Sequence, residues 1–178
     1  MPMMKKVLAY LDIETTGFSP FQAELTVIGL YVVHGPKHRV FFQPYGDQIT
    51  SRALSQALSD VDLLYTYNGK KFDLPFIEAK MGLDVTKKCA HQDLLYDCWE
   101  RGLYGGLKNV ERMLRIPRAN ADINGWMAVQ LWHRYAIDGD PSALKRLLDY
   151  NREDVMNLEK LREKLSSARS RARSPVST

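Results

Sequence analysis

The sequence predicts an α/β chain built on a mixed five-stranded sheet with helices packed over it. Three observations predict this class. Short apolar runs separated by turn signals fill the chain to about residue 45. From residue 61 such runs alternate with helical patterns, and after residue 94 only the helical period remains. Strands first, then alternation, then helices is the pattern of a mixed sheet.

Each element has its own signal. Residues 5–11 turn apolar after the lysines and read as a buried strand. Residues 25–33, LTVIGLYVV, read as a second strand, followed by a turn at His34-Gly35-Pro36-Lys37. Residues 38–45, HRVFFQPY, read as a third strand, so strands one to three form an antiparallel meander. Residues 50–59 read as a short helix. Residues 61–67, VDLLYTY, read as a fourth strand, broken by Asn68-Gly69. A helix over 73–82 ends near Gly82, and 88–93 reads as a fifth strand, with strands four and five running parallel. Helices are expected over 94–101, 106–115, 124–137 and 141–165. With no internal repeat or linker, one domain is expected over 1–165 and a separable basic tail over 166–178.

Composition narrows the classes. A chain of 178 residues can bury a core, and 45% hydrophobic with 26% charged residues is ordinary for a soluble protein. No apolar run approaches the roughly 20 residues of a membrane helix. The opening MPMMKKVLAYL lacks a small-residue cleavage site, so no signal peptide is expected. Cys89 and Cys98 form no CxxC pair and fit reduced thiols in a cytoplasmic protein. The net charge of +4 rests largely on the tail, which holds Arg169, Arg171 and Arg173 and no acid. That tail reads as a solvated, disordered end or as an arm for nucleic acid.

Three acidic stretches carry the chemistry. In YLDIETTGF a strand's period of two points Asp12 and Glu14 the same way. Two close carboxylates repel, and a divalent cation between them removes that cost. The competing reading is a strand end opening to solvent. Thr15-Thr16-Gly17 adds hydroxyls that hold a substrate or cap the loop. In NGKKFD, Asp73 opens a helix as an N-cap or stands as a ligand. Lys70 and Lys71 meet phosphates or line a solvated turn. In YNRED, Asp154 lies near the edge of an apolar stripe formed by Leu144, Leu147, Leu148, Val155, Leu158 and Leu165. Tyr150 lies on the same side, one helical turn earlier. Lys145, Arg146, Asp149, Glu153, Lys160 and Lys164 take the opposite face. An unpaired inward carboxylate is costly, so Asp154 needs a salt bridge, an edge position or a metal.

Together, DIETTG, NGKKFD and Tyr150-x3-Asp154 resemble the three motifs of the DEDD superfamily, the DnaQ-like 3′–5′ exonucleases on the ribonuclease-H-like fold. The third motif is similar to the DEDDy subgroup. The position that carries His in the DEDDh subgroup is Asp149 here. The second motif resembles that of family-B polymerase proofreading domains, and YNGKKFDLPFIEAKMG resembles the YprB-type ribonuclease-H-like group. The resemblance spans about residues 5–160. It implies a ribonuclease-H-like sheet and Asp12, Glu14, Asp73 and Asp154 as ligands of two divalent cations, Mg²⁺ or Mn²⁺. It also implies Tyr150 beside the attacking water. Thr15, Thr16, Phe18, Asn68, Lys70 and Lys71 are then the candidate substrate contacts. The implied activity is metal-dependent 3′–5′ exonucleolysis of DNA or RNA by a two-metal-ion mechanism. The implied partners are single strands or 3′ ends, and a polymerase, helicase or other repair protein. Two alternatives stand: a structure-selective endonuclease on the same fold, and a catalytically silent nucleic-acid-binding domain. Presence of all four acids weighs against the second.

Other constellations are weaker. Cys89, His91, Asp93 and Cys98 match no common zinc spacing, and Asp93 reads as a helix cap or a neighbour of the metals. Trp126 and Trp132 read as core. Gly105-Gly106-Leu107-Lys108 reads as a linker or a phosphate-binding helix start.

Overall fold

A computed structural model describes residues 6–173. Its sheet consists of β1 (Leu8–Thr15), β2 (Leu25–Val33), β3 (Arg39–Phe42), β4 (Leu63–Thr66) and β5 (Ala90–Asp93), in the order β3-β2-β1-β4-β5. β1 with β2 and β2 with β3 are antiparallel, while β1 with β4 and β4 with β5 are parallel. Helices α1 (Ser51–Ala57), α2 (Asp73–Met81), α3 (Leu94–Trp99), α4 (Leu107–Met113), α5 (Gly125–Asp138) and α6 (Pro141–Arg173) flank it. This is the mixed five-stranded arrangement the sequence predicts.

β1 is central, and its two rows of side chains enter two cores. Ala9, Leu11 and Ile13 pack with Leu54 and Leu58 of the α1 region and Phe76 and Ile77 of α2. Tyr10 packs on the other face with Tyr65, Leu94 of α3, and Val155, Leu158 and Leu161 of α6. Because the strand alternates, Asp12 and Glu14 continue the row of Tyr10 and face α6. A third cluster, including Val27, Leu131, Trp132, Leu147 and Tyr150, joins α5 to the first half of α6. β2 presents Gly29 opposite Asp12. A Cβ at Gly29 would lie 2.3 Å from Asn151 Oδ1 and 2.6 Å from Val155 Cγ2. Glycine there lets α6 lie close enough to reach the acids of β1.

The boundaries differ from expectation in four places. β1 does not stop near residue 11 but runs through Asp12 and Glu14, because β2 pairs with it as far as Thr15↔Leu25. β3 ends at Phe42; Pro44 has no N–H to give, and Tyr45 keeps only an isolated bridge to Val27. β5 begins at Ala90 after the short 3₁₀ helix Val85–Lys87. α6 continues past 165 to Arg173, with the hydroxyls of Ser166 and Ser167 donating to Arg162 O and Glu163 O, each at 2.9 Å. The basic tail expected from 166 is thus helical to Arg173, and residues 174–178 lie outside the described residues. So do residues 1–5, where the absence of a signal peptide was in part expected.

One expected core residue is corrected. Trp126 is 70% exposed, whereas Trp132 is buried. At 100° per residue, Trp126 falls opposite the inward row of Ala128, Leu131 and Trp132. No described helix is long and apolar enough to cross a membrane.

Candidate metal and active site

The site forms where two parallel strands part. β1 pairs with β4 only as far as Tyr10↔Tyr65, so the β4-side edge of β1 is open beyond that point. In open sheets with parallel strands, ligands collect beyond the strands' carboxyl ends. Here the chain leaves β4, turns at Asn68 with a φ of 63°, and starts α2. Asp73 is the first residue of α2; Phe72, which precedes it, supplies no side-chain cap. Asp73 Oδ1 instead accepts a hydrogen bond from Ile13 N at 3.1 Å, closing the open edge of β1.

α6 supplies the other wall. Asn151 Nδ2 donates to Asp12 O at 3.3 Å and to Asp12 Oδ2 at 3.1 Å. Carboxylate oxygens of Asp12, Glu14 and Asp154 lie within 4.8 Å of one another. Among the described residues this is the one group of three or more His, Cys, Asp or Glu side chains close enough to share an ion. The structure therefore brings three of the four expected acids together and sets Asp73 at the flank of Asp12, bonded to β1. Asp12, Tyr150 and Asp154 line an open cleft of about 480 Å³, with Tyr67, Lys108 and Asn124 on its other sides.

Three of these carboxyls lack enough counter-charge. Burial pushes Asp12 up to about 7, opposed by the Asn151 hydrogen bond and the Arg118 charge. Burial foremost, and then the Asp12 charge, hold Glu14 and Asp73 well above the usual carboxylate range. Burial foremost, with Glu14 and Asp12 adding to it, raises the Tyr150 phenol further above its ordinary 10.0. Tyr150 is therefore protonated at neutral pH. Crowded hard oxygen donors held above the usual carboxylate range by burial and mutual charge suit a divalent cation.

Arg118 is the main residue the sequence did not reveal. It lies between α4 and α5, and its side chain is 6% exposed. Nη1 donates to Asp154 Oδ1 at 2.7 Å, and Nε donates to Glu111 Oε2 at 3.0 Å. Glu111 Oε1 accepts from Asn157 Nδ2 at 2.8 Å. The guanidinium carbon stands 5.7 Å from the Tyr150 ring centroid, and Lys108 Nζ stands 4.9 Å from it. Asn151 was also missed, although its place four residues before Val155 on the inward stripe is the kind of signal that singled out Asp154.

The six expected substrate contacts do not line the cleft. Thr15 Oγ1 donates to Gly17 O at 2.7 Å, and Thr16 Oγ1 accepts from Glu24 N at 2.8 Å, so both stitch the turn after β1. Phe18 is 93% exposed, with its ring edge-on to Phe72 at 6.3 Å. Asn68 N donates to Asp93 Oδ1 at 2.7 Å. Lys70 and Lys71 are exposed and stand 5.8 and 6.0 Å from the rings of Tyr96 and Trp99. Asp93 caps α3 through Leu95 N at 3.1 Å and also accepts Lys70 N at 3.0 Å, so the cap reading holds. Cys89 and Cys98 are free and buried. Gly106 is the N-cap of α4 and lines the cleft.

Known proteins share this architecture. YprB of Bacillus subtilis strain 168, an uncharacterized protein, is 31% identical over 171 residues, covering 86% of this chain and 40% of YprB. The chain therefore spans less than half the length of that relative. The family B DNA polymerase of Pyrobaculum calidifontis superposes with a TM-score of 0.71 at 17% identity, over 91% of this chain and 25% of the polymerase. Brucella melitensis NrnC bound to pGG gives 0.64 at 19% identity, over 96% of this chain and 77% of NrnC. The same protein with bound Mg²⁺ gives 0.63 at 18% identity, again over 96% and 77%. At these identities the structural likeness is one of fold. The family profile described as the RNase_H superfamily runs from residue 9 in β1 to residue 166 in α6, taking in every strand and the acids between them, and the chain belongs to that superfamily.

Proposed function

We propose that the chain is a metal-dependent nuclease of the DEDDy type that releases nucleotides from the 3′ end of a nucleic acid. The observation that carries this reading is the convergence of Asp12, Glu14 and Asp154 within 4.8 Å, with Tyr150 on the same cleft. Asp12, Glu14 and Asp154 would hold divalent cations, and Asp73 would support a second ion from the flank of Asp12. Arg118 engages Asp154 through Oδ1, and among the described residues no hydrogen bond is made to Oδ2. Two bound Mg²⁺ or Mn²⁺ ions would supply the Lewis acidity and the lowered water pKa for in-line displacement at phosphorus.

The chain's own side chains do the rest. Asn151 fixes the Asp12 carboxylate through Oδ2. Tyr150 keeps its proton, so it orients the attacking water by hydrogen bonding and does not act as the base. Outside the cleft lining, the exposed Phe18 would offer a face for a base of the bound strand, with Thr15, Thr16 and Asn68 shaping the turns beside it. Lys70 and Lys71 offer charge to the phosphates leaving the site. NrnC, solved with pGG and with Mg²⁺, and the polymerase fold support the reading by analogy. A polymerase, helicase or repair protein is the matching protein partner.

The test is degradation of end-labelled single- and double-stranded DNA and RNA with Mg²⁺, Mn²⁺ or chelator. Mononucleotide release from 3′ ends, stopped by chelator and by Asp12→Ala, is expected. Cleavage of a closed circle would move the assignment to an endonuclease. Activity unchanged in Asp12→Ala would remove the site.

A further inference from the structure

The acids of β1 are short of positive charge, yet Asp154 beside them is not. Its partner is Arg118, a cation supplied by this chain. A buried arginine close to a phosphate-cleaving site invites the reading of a phosphate contact. The geometry points first to a different role. Arg118 is bonded to two carboxylates, Asp154 on α6 and Glu111 on α4. Glu111 is itself held by Asn157. Nε and Nη1 are thus given to carboxylates, while Nη2 lies against Asp154 Oδ1 and makes no hydrogen bond among the described residues, so most of the guanidinium charge is committed to Asp154 and Glu111.

The bracket has a different consequence. Asp154 shares a 4.8 Å cluster with Asp12 and Glu14, so a cation held there stands close to the guanidinium charge. Arg118 also occupies Oδ1, one of the two oxygens Asp154 can offer. Both effects oppose the incoming ion. At the same time the fork holds the Asp154 carboxylate in place before any ion arrives. A buried carboxylate crowded by like charges would otherwise turn away from them.

We propose that Arg118 is a positioning residue that serves as a resident counter-cation for Asp154, presetting that ligand and moderating divalent-ion affinity, with Glu111 as the tether that divides its charge. This inference rests on the reading of Asp154 as a metal ligand. Two opposite shifts follow. Removing the guanidinium charge should tighten metal binding. Neutralising Glu111 should loosen it, because Arg118 then gives its charge to Asp154 alone.

The experiment is calorimetric titration of Mn²⁺ into the full chain at one fixed pH, with thermal melts in chelator and in Mn²⁺. Arg118→Gln should bind Mn²⁺ on the order of tenfold more tightly, since one nearby charge acts at low dielectric. Its chelator melt should fall while its Mn²⁺-induced gain grows. Glu111→Gln should bind on the order of tenfold more weakly. Arg118→Lys keeps the charge but loses the two-pronged geometry, so its shift should be clearly smaller than that of Arg118→Gln. If Arg118→Gln does not fold, the Glu111→Gln titration still decides the matter. A purely structural Arg118 would lower the chelator melt in Arg118→Gln and leave affinity unchanged, which overturns the proposal. So does an Arg118→Lys shift as large as that of Arg118→Gln, or Glu111→Gln binding as tightly as wild type. Asp154→Asn binding Mn²⁺ as well as wild type overturns the metal-ligand reading itself, and this proposal with it.

Discussion

Asp12 and Asp93 invite comparison. Each sits near the carboxyl end of a parallel strand, on β1 and β5, and each faces a helix. Asp93 accepts three backbone N–H bonds, from Asn68, Lys70 and Leu95, between 2.7 and 3.1 Å. Asp12 accepts one side-chain amide from Asn151 on its carboxylate and stands among Glu14, Asp73 and Asp154. Asp93 is buried and Asp12 half-buried, yet exposure is not what distinguishes them most. What separates them is whether the protein itself supplies the donors. Asp93 is complete within the fold and fixes the NGKK turn against α3. Asp12 takes one donor on its carboxylate from the fold, and on the proposed reading a cation completes it.

The largest effect should come from Asp12→Asn. Activity should fall on the order of 10³-fold, about 4 kcal/mol of barrier, measured on end-labelled oligonucleotides in Mg²⁺. Stability should move the other way. Burial raises the Asp12 carboxyl from its ordinary 3.8 to about 7. The stabilising contribution of such a group is complete below its unfolded value and is lost as pH rises through its folded one. In chelator, therefore, Asp12→Asn should gain stability relative to wild type as pH climbs from about 4 to about 7, and hold that gain above. Mg²⁺ should reverse the order. A wild-type chain that gains on the variant with rising pH would show that the fold already satisfies the Asp12 carboxylate.

Asp93→Ala is the complementary case. It strands the N–H groups of Asn68, Lys70 and Leu95, at a cost of about 3 kcal/mol, read as a lower denaturation midpoint. Metal affinity of the folded fraction should stay near wild type. If Asp93→Ala abolishes Mn²⁺ binding without loss of stability, the two carboxylates have been assigned the wrong way round.

The same contrast marks what the sequence could show. Parity along β1 set Asp12 and Glu14 on one face, and the α6 stripe turned Tyr150 and Asp154 inward; both follow from local periods. The order of strands and helices sufficed for the mixed sheet. Pairing between distant segments left no local trace. β1 reaches Thr15 because β2 lies beside it, not because residues 12–15 are apolar. Asp73 closes β1 through Ile13, which lies 60 positions away. Arg118 stands in the connection between α4 and α5 and meets Asp154 across 36 positions, so no period could mark it. Trp126 misled because it is apolar in a helix, although its angle on the wheel puts it outside.

Gly29→Ala sharpens the comparison through the backbone. Its Cβ would collide with Asn151 and Val155, forcing α6 off the sheet exactly where Asn151 meets Asp12. A cost of about 2 kcal/mol is expected from such overpacking. Gly125→Ala, at the first residue of α5 with nothing within 4 Å of its Cβ, is the control that should lose no stability in the same melts. An equal cost at both positions would mean that close approach of α6 does not build the site.

Tyr150→Phe tests the smallest step, the difference between orienting a water and activating it. The phenol is raised by burial and by the charges of Glu14 and Asp12, so it holds its proton throughout the working range. Removing the hydroxyl should cost one hydrogen bond to the water and little else. The ring keeps its place in the α5–α6 cluster and under Lys108 and Arg118. Turnover should slow by about tenfold, about 1.4 kcal/mol, with Mn²⁺ affinity unchanged and the pH profile keeping its shape. A hydroxyl acting as the base would instead take a limb out of that profile, and a hydroxyl acting as a ligand would weaken Mn²⁺ binding. Asp12 would then share its unmet demand for charge with the tyrosine, and the boundary between the completed and the uncompleted carboxylate would have to be redrawn around α6.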